Sequence, residues 1–103
     1  MKKLTKNMPK ISIITVSLNS KKTIRQCIES VINLDYPKNK IEHIVIDGGS
    51  TDGTVEIIKK YKKHIKYWQS KKDKGLYDAM NIGIKKSEGS IIGILNSDDI
   101  FYK

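Results

Sequence analysis

The chain has 103 residues, enough for one compact domain but not for two. It carries 20 lysines and arginines against 11 acidic residues, and its hydrophobic residues fall in blocks, which favours a folded basic domain over disorder. The single cysteine, Cys27, excludes an internal disulfide framework and a four-cysteine zinc site. The apolar run Ile11–Leu18 follows a basic start, as in a signal peptide. Because Asn19-Ser20-Lys21-Lys22 stands where a small-residue cleavage site belongs, we expect a cytoplasmic protein.

Apolar runs and polar turns alternate along the first half of the chain. Ile11–Ser17 is rich in β-branched residues and nearly continuous, which is typical of a strand buried on both faces. Between Ile24 and Ile32 the apolar residues recur at helical spacing on one face. Asn19 or Ser20 is the expected cap of that helix, and Tyr36-Pro37 the expected stop.

The same alternation continues in the second half. Ile41–Asp47 is predicted to be a strand, followed by a glycine-rich turn in which Thr51 or Asp52 caps a helix that runs to about Tyr61. The remaining predicted elements are a short strand at Ile65–Gln69, a polar loop at Ser70–Gly75, a helix over Leu76–Ile84 in which Gly83 allows close contact with the sheet, and a fourth strand at Ser90–Leu95. The alternation predicts a single α/β domain over residues 1–103, a three-layer α/β/α structure with a mostly parallel sheet.

Polar residues collect where the predicted strands end, which is the edge at which parallel α/β sheets bind ligands. Asp98 and Asp99 follow a strand that we expect to be buried, and neighbouring carboxylates repel each other unless a cation compensates. The pair therefore suggests Mg²⁺ or Mn²⁺ that takes its remaining ligands from substrate phosphates. Capping of a following turn is an equally favoured interpretation of the pair. The other polar residues at these ends are Ser17, Asn19, Asp47, Asp73, Lys74 and Asn96.

Several residues have a structural interpretation beside a functional one. Asp47 either binds a nucleoside or fixes the Gly48-Gly49 turn, and the pattern alone favours the turn. Cys27 and His43 lie among apolar residues and are expected to be structural. Tyr77 can stack on a base, but half-buried packing is the favoured expectation.

A dense basic stretch runs from Lys59 to Lys74, where eight lysines face only Asp73 and give a local net charge of +7. It indicates either attraction to an anionic surface or a solvated face, and we favour the solvated face. Nucleic-acid binding is not expected, because the chain has no recognition motif and few aromatic residues among its lysines.

Four segments of the chain resemble glycosyltransferase family 2, the inverting enzymes of the GT-A fold. The first, residues 11–19, is similar to the opening strand of that family, and residues 42–54 are similar to its second strand and the Asp-plus-Gly/Ser/Thr turn. Residues 73–84 resemble the segment before the metal strand, and Leu95-Asn96-Ser97-Asp98-Asp99 takes the place of the DxD motif. Each segment alone is modest, but four in the right order are specific, and they span nearly the whole chain.

The resemblance implies a nucleotide-sugar donor, most often a UDP-sugar, and a Rossmann-like donor-binding half. The metal, Mg²⁺ or Mn²⁺, would bind the diphosphate, and an acceptor hydroxyl would attack the anomeric carbon with inversion while a carboxylate base takes its proton. A glycan or lipid-linked acceptor in surface polysaccharide synthesis is implied. The implied donor-binding residues are Thr15, Ser17, Asn19, Asp47, Asp73, Lys74 and Asn96, and the implied metal ligands are Asp98 and Asp99.

Two departures from the family pattern matter. Asn96 replaces the first aspartate of the usual triplet, which leaves the metal ligand open between Asp98 and Asp99. Lys71 stands where an acidic residue is common. Family members continue beyond this region with the acceptor site and the catalytic base. We therefore expect the chain to be the N-terminal donor-binding part, truncated after the fourth strand, with an unassigned base and little or no sugar transfer of its own.

Other expectations follow from the same pattern. A sheet that ends after the fourth strand exposes a strand edge, so we predict self-association. Peripheral contact with the inner face of a membrane through the lysines stays open as an alternative to the solvated face. The alternative function is a non-catalytic basic module that binds nucleic acid or anionic membrane. A phosphoryl-accepting receiver domain is disfavoured, because its acidic cluster belongs partly after the first strand and Ser17-Leu18-Asn19 stands there.

Overall fold

The computed structural model of the chain describes residues 8–99. The strands pair only in parallel and stand in the order β3-β2-β1-β4, which confirms the predicted parallel sheet. None of the helices between residues 8 and 99 is both long enough and apolar enough to cross a membrane. The elements are β1 (Ile11–Ser17), α1 (Ile24–Ile32), β2 (Ile41–Asp47), α2 (Thr54–Lys60), β3 (Tyr67–Ser70), α3 (Leu76–Lys86) and β4 (Ile91–Ile94), with 3₁₀ turns at Lys38–Lys40 and Lys62–His64.

The helices cover the sheet on both faces, so the three-layer α/β/α architecture is confirmed. On one face, Ile24 and Ile28 of α1 pack with Val45 of β2 and with the apolar side of α2. On the other face, Ala79 of α3 packs on a patch that includes Ile14 of β1. β1 and β2 are buried from their second residue onward because they are the two central strands and have helices above and below them.

The fourth strand differs from its expected burial. Ile91, Ile92 and Ile94 of β4 are 48%, 42% and 41% exposed, so the expectation of a buried strand is wrong. The reason is its position at the edge of the sheet, where β1 is its only strand neighbour among the described residues and α3 lies over β1 and β2. The predicted exposure of a strand edge is confirmed, and self-association stays a prediction.

The cap predicted for the first helix is also wrong. The helix begins at Ile24 with Thr23 at the cap position and no side-chain capping bond. The carbonyl of Ser20 accepts hydrogen bonds from the N–H groups of Thr23 and Ile24 instead. Asn19 has a left-handed backbone, with φ of 49°, and its side chain accepts a hydrogen bond from the Thr51 N–H in the turn after β2. The turn before the helix, not a side chain, therefore satisfies its first backbone donors.

The element limits and caps in the second half need smaller corrections. Gly53 occupies the cap position of α2, and Asp52 beside it accepts a hydrogen bond from the Thr54 N–H through Oδ1 (3.0 Å). β3 begins at Tyr67, two residues later than predicted, because Ile65 still closes the 3₁₀ turn through its N–H to the Lys62 carbonyl. Tyr77 is 79% exposed, so the expectation of half-buried packing is wrong.

Gly83 of α3 lies directly against the central strand, as predicted. A Cβ at this position would fall well inside van der Waals contact with Cγ2 of Ile14, which is fully buried. We expect Gly83→Ala to lower the free energy of unfolding by about 1–2 kcal/mol, because overpacking outweighs the gain of roughly 1 kcal/mol in helix propensity. Urea denaturation measures the change. Gly93→Ala is the matched control, since a Cβ there meets nothing within 4 Å, and equal effects of the two substitutions would contradict the close approach.

Candidate functional site

An open cavity of about 780 Å³ lies at the carboxyl ends of the strands. It is formed by the segments that follow β1, β2, β3 and β4 together with the start of α3. This is the edge at which the sequence places the polar residues, and it is where a parallel α/β sheet binds ligands. Five of the predicted site residues line the cavity, namely Ser17, Asn19, Asp73, Asn96 and Asp98.

Four of the predicted site residues do not line the cavity. Thr15 is fully buried, and its Oγ1 lies 2.7 Å from Nε2 of His43. Asp47 is also fully buried, behind the cavity wall. Lys74 is exposed on the loop before α3, and Asp99 follows Asp98 with an exposed side chain. The structure therefore brings together predicted residues from the ends of three strands, β1, β3 and β4, whereas Asp47 at the end of β2 does not reach the cavity.

Asp47 holds three segments of the site together. Its Oδ1 accepts hydrogen bonds from the hydroxyls of Ser17 (2.7 Å) and Ser50 (2.6 Å). Its Oδ2 accepts from the N–H groups of Gly49 (3.1 Å) and Ser50 (2.8 Å) and from the Ser70 hydroxyl (2.7 Å). Burial by itself would raise the pKa of this carboxyl, but these hydrogen bonds lower it below its usual value. These hydrogen bonds agree with the interpretation that Asp47 fixes the Gly48-Gly49 turn.

Asn19 connects the end of β1 to the turn after β2. Its backbone N–H donates to the Ser50 hydroxyl (2.7 Å), and its side-chain Oδ1 accepts from the Thr51 N–H (2.9 Å). The left-handed backbone of Asn19 suits an asparagine, whose short amide bonds to nearby backbone. The two loops that form this side of the cavity are thus fixed relative to each other.

Asp73 brings a carboxylate to the cavity wall beside the turn that follows β2. Its Oδ1 accepts from the Gly75 N–H (2.9 Å), which shapes the loop before α3. A Cβ on Gly48 would lie 3.3 Å from Asp73 Oδ2, so a glycine at this position leaves room for the carboxylate. Lys74 contributes its backbone N–H to Asp78 Oδ2 (2.9 Å) at the start of the helix.

The segment after β4 carries Asn96, Ser97 and Asp98 to the cavity wall. The Cys27 thiol donates to the Asn96 carbonyl (3.6 Å), and the hydroxyls of Ser97 and Ser20 lie 2.7 Å apart. Burial raises the pKa of the Cys27 thiol to about 11, so it stays protonated and structural, as expected. Asp98 keeps an exposed carboxylate on the wall.

The ligands available in the cavity fit a metal ion that is bound partly by the protein and partly by substrate phosphates, not one that is bound by protein side chains alone. Within residues 8–99 there is no group of three or more histidine, cysteine or acidic side chains placed to hold a metal. Mg²⁺ and similar cations are commonly held by one or two carboxylates and by the phosphates of a substrate. The Asp98 carboxylate on the cavity wall matches that arrangement. Assignment of Asp98 and Asp99 as ligands stays a prediction.

Several lining residues were not selected from the sequence. Lys21 and Lys22 precede α1, and Asp52 lies in the turn before α2, so all three fall in loops that follow a strand end. With Asp73 and Asp98 the lining holds three carboxylates and two ammonium groups, a net charge of −1. A diphosphate entering this cavity therefore meets a negative lining unless a cation accompanies it.

Comparison with known proteins identifies the family. The model of glycosyl transferase family 2 matches residues 12–103, nearly the whole chain. The chain belongs to this family, and its parallel α/β fold is that of the GT-A glycosyltransferases, as the resemblance of its four segments implied.

Individual proteins that are similar to the chain in sequence are also glycosyltransferases. An uncharacterized glycosyltransferase of Mycobacterium tuberculosis is 42% identical over 93 residues, which are 90% of this chain and 35% of that protein. The poly(ribitol-phosphate) β-N-acetylglucosaminyltransferase TarS of Staphylococcus aureus is 32% identical over 99 residues, or 93% of this chain and 17% of TarS. The chain thus spans about a third or less of the length of these curated relatives.

Solved structures that are similar to the chain in fold are glycosyltransferases as well. Residues 1–349 of S. aureus TarS in complex with UDP-GlcNAc superpose with a TM-score of 0.79 at 31% identity, covering 88% of this chain and 27% of that one. A mannosyltransferase from Pyrobaculum calidifontis in complex with GDP-Man and Mn²⁺ has a TM-score of 0.85 at 22% identity, over 94% of this chain and 30% of that one. The second likeness shows the shared fold.

Proposed function

We propose that this domain binds the donor of a sugar-transfer reaction, a nucleotide sugar of the UDP type, in the cavity at the carboxyl ends of the strands. The observation that carries the proposal is that one cavity brings together polar residues from three strand ends: Ser17 of β1, Asp73 after β3, and Asn96 and Asp98 after β4. The likeness to TarS, whose structure holds UDP-GlcNAc, supports the donor class. The cavity volume of about 780 Å³ is within the range of small-molecule sites.

The two sides of the cavity suit different parts of the donor. On the side of β1 and β2, Ser17 and Asn19 are fixed by the Asp47 and Ser50 hydrogen bonds, and we assign the nucleoside to this side together with Asp73. On the side of β4, Asp98 would hold Mg²⁺ or Mn²⁺, with Asp99 as the second candidate. When bound, the metal neutralises charge that develops on the diphosphate leaving group.

Asn96 and the lysines complete the proposed donor site. Asn96 lies on the cavity wall between β4 and Asp98, and we assign it to the ribose or the sugar. Lys21 and Lys22 line the same cavity and can pair with phosphate oxygens. Lys74 and Thr15 act from outside the lining, Lys74 at the border of the nucleotide and Thr15 through its backbone and its buried bond to His43.

The proposed transfer is a single displacement. The acceptor hydroxyl oxygen forms a bond to the anomeric carbon, the bond from that carbon to the diphosphate breaks with its electrons on the leaving group, and a carboxylate base takes the hydroxyl proton. A relative from Methanococcus voltae, 41% identical over 92 residues, is named as a transferase acting on a dolichyl phosphate-linked sugar. TarS is named for poly(ribitol-phosphate). We propose an acceptor of the same general kind, a glycan or a lipid-linked sugar.

Thermal unfolding with ligand tests the donor site. We expect UDP to stabilise the chain only when Mn²⁺ is present, by about 2.7 kcal/mol at a concentration one hundred times the dissociation constant. Asp98→Ala should abolish that stabilisation, because the diphosphate then meets the cavity without its cation.

The matched control is Asp35→Ala, which removes an exposed carboxylate that is not part of the cavity lining. Equal stabilisation of the Asp98 variant and the wild type would contradict the metal assignment. The absence of stabilisation by any nucleotide or nucleotide sugar, with or without metal, would overturn the donor site itself. A shift caused by DNA alone would favour the nucleic-acid module instead.

A further inference from the structure

We propose that the mouth of the cavity docks on an anionic lipid surface through an amphipathic rim made of Leu18, Leu76, Tyr77, Lys71, Lys72 and Lys74. The proposal goes beyond donor binding, because it concerns the outer surface of the cavity and needs no nucleotide. It rests on two observations that coincide at one place, an apolar group and a basic group that are both exposed.

The apolar part of the rim is unusually exposed. Leu18 is 60% exposed, Leu76 is 52% exposed and Tyr77, its neighbour on the first turn of α3, is 79% exposed. Leu18 and Leu76 both line the cavity although they are far apart in the chain, so the fold brings two exposed leucines to the same opening. Side chains of this kind lose contact with water favourably when they enter the boundary between lipid headgroups and acyl chains.

The basic part of the rim lies on one side of the same mouth, where a Cβ on Gly48 would lie 3.5 Å from Cδ1 of Leu18 and a Cβ on Gly49 would lie 3.3 Å from the backbone N of Lys72. Lys71, Lys72 and Lys74 are exposed, and the ion pairs found among residues 8–99 involve only Lys10 and Lys66. The acidic side chains of this loop are engaged with its backbone. Asp73 accepts from the Gly75 N–H and Asp78 accepts from the Lys74 N–H. Residues 71–78 hold three lysines against Asp73 and Asp78, so this segment carries a net charge of +1 beside the leucines.

Charge complementarity favours a lipid surface over the other occupants of such a rim. A second copy of the chain would bring the same lysines and a net charge of +9 against this face, which is electrostatically unfavourable. Nucleic acid would satisfy the lysines and could stack one base on Tyr77, but it would leave the exposed side chains of Leu18 and Leu76 in water. An anionic membrane satisfies both parts, because each lysine near the surface and each buried apolar side chain contributes to binding.

Sedimentation of the 103-residue chain with phospholipid vesicles tests the proposal. We expect binding to vesicles of 70% phosphatidylcholine and 30% phosphatidylglycerol, and little binding to pure phosphatidylcholine. The double variant Lys71→Gln/Lys72→Gln should weaken the partition coefficient on the order of thirtyfold, since two surface lysines are lost. Tyr77→Ser should weaken it severalfold at high salt, where the electrostatic part is screened.

Matched variants separate the rim from general basicity. Lys59→Gln/Lys60→Gln removes the same charge from α2, and Ile84→Ser removes an apolar side chain that is 43% exposed on the same helix as Tyr77. Both controls should bind within about threefold of the wild type. Equal losses in the two lysine pairs, no binding to the anionic vesicles, or a dimer in sedimentation velocity that Tyr77→Ser dissociates would each overturn the proposal. Because the assay contains no nucleotide, its result is independent of the donor site.

Discussion

Replacing Asp47 with alanine is expected to lower the free energy of unfolding by about 3 kcal/mol or more. The carboxylate is fully buried and accepts five hydrogen bonds, so the substitution leaves the hydroxyls of Ser17, Ser50 and Ser70 without their acceptor. Hydrogen bonds to charged groups contribute roughly 1.5–3 kcal/mol each, and losses within one network are not additive. Urea denaturation at pH 7 measures the change.

Two further variants make the Asp47 experiment decisive. Asp35→Ala removes an exposed carboxylate and should change stability by less than about 0.5 kcal/mol. Ser70→Ala removes one of the five donors and should cost about 1 kcal/mol, well below the loss at Asp47. A loss under about 1 kcal/mol in Asp47→Ala would show that the carboxylate does not hold the three segments together. Because Ser17 and Gly48 line the cavity, any folded Asp47 variant should also lose binding of UDP.

The second large effect is expected at the opposite end of the sheet, where Glu42 is buried. Its side chain is 2% exposed and accepts hydrogen bonds from the Ser12 hydroxyl (2.6 Å) and the Glu88 N–H (2.6 Å). It also pairs with Lys66 (3.2 Å) and Lys10 (3.3 Å). Burial would raise the pKa of this carboxyl, but these partners bring it down to about 2.

A carboxyl group with a lowered pKa in the folded state stabilises the fold at neutral pH. The contribution is complete above the unfolded pKa, near 4.5, and is lost as the pH falls from there toward 2. We expect ionised Glu42 to stabilise the fold by about 2 kcal/mol at pH 7. This is less than the lowering of its pKa would give if converted in full, because Lys10 and Lys66 are partly exposed and water screens them. Glu42→Gln should therefore be less stable than the wild type at pH 7, and the gap should narrow as the pH falls.

Urea denaturation of both proteins between pH 7 and pH 3 checks the Glu42 prediction. Burial lowers the pKa of His43 to about 4, so His43 also destabilises the fold as the pH drops below 6.5. That effect is present in both proteins and cancels in their difference. Glu56→Gln, at an exposed position, is the control and should follow the wild type at every pH. A constant gap between Glu42→Gln and the wild type would contradict the role of the charged form.

The fold follows from the sequence to a large extent because its pattern is local. The β-branched runs at Ile11–Ser17 and Ile41–Asp47 and the helical spacing from Ile24 to Ile32 each define an element, and the parallel sheet is the common way to bury such alternating elements. The errors lie where local pattern does not decide. β4 is apolar like a buried strand, but its burial depends on what lies beside it, and Tyr77 has no feature that distinguishes a packed from an exposed ring.

By itself the sequence determined the α/β architecture, the family and the edge of the sheet at which the polar residues meet, because the period of apolar residues and the order of the motifs are carried by the chain directly. Only the tertiary structure decided which of those polar groups face the cavity. Asp47 and Asp73 are both aspartates near the carboxyl end of a strand, yet Asp47 is enclosed by serines from three segments while Asp73 lies on the cavity wall. The physical reason is that burial and hydrogen bonding depend on neighbours that are distant in sequence, and folding alone brings those neighbours together.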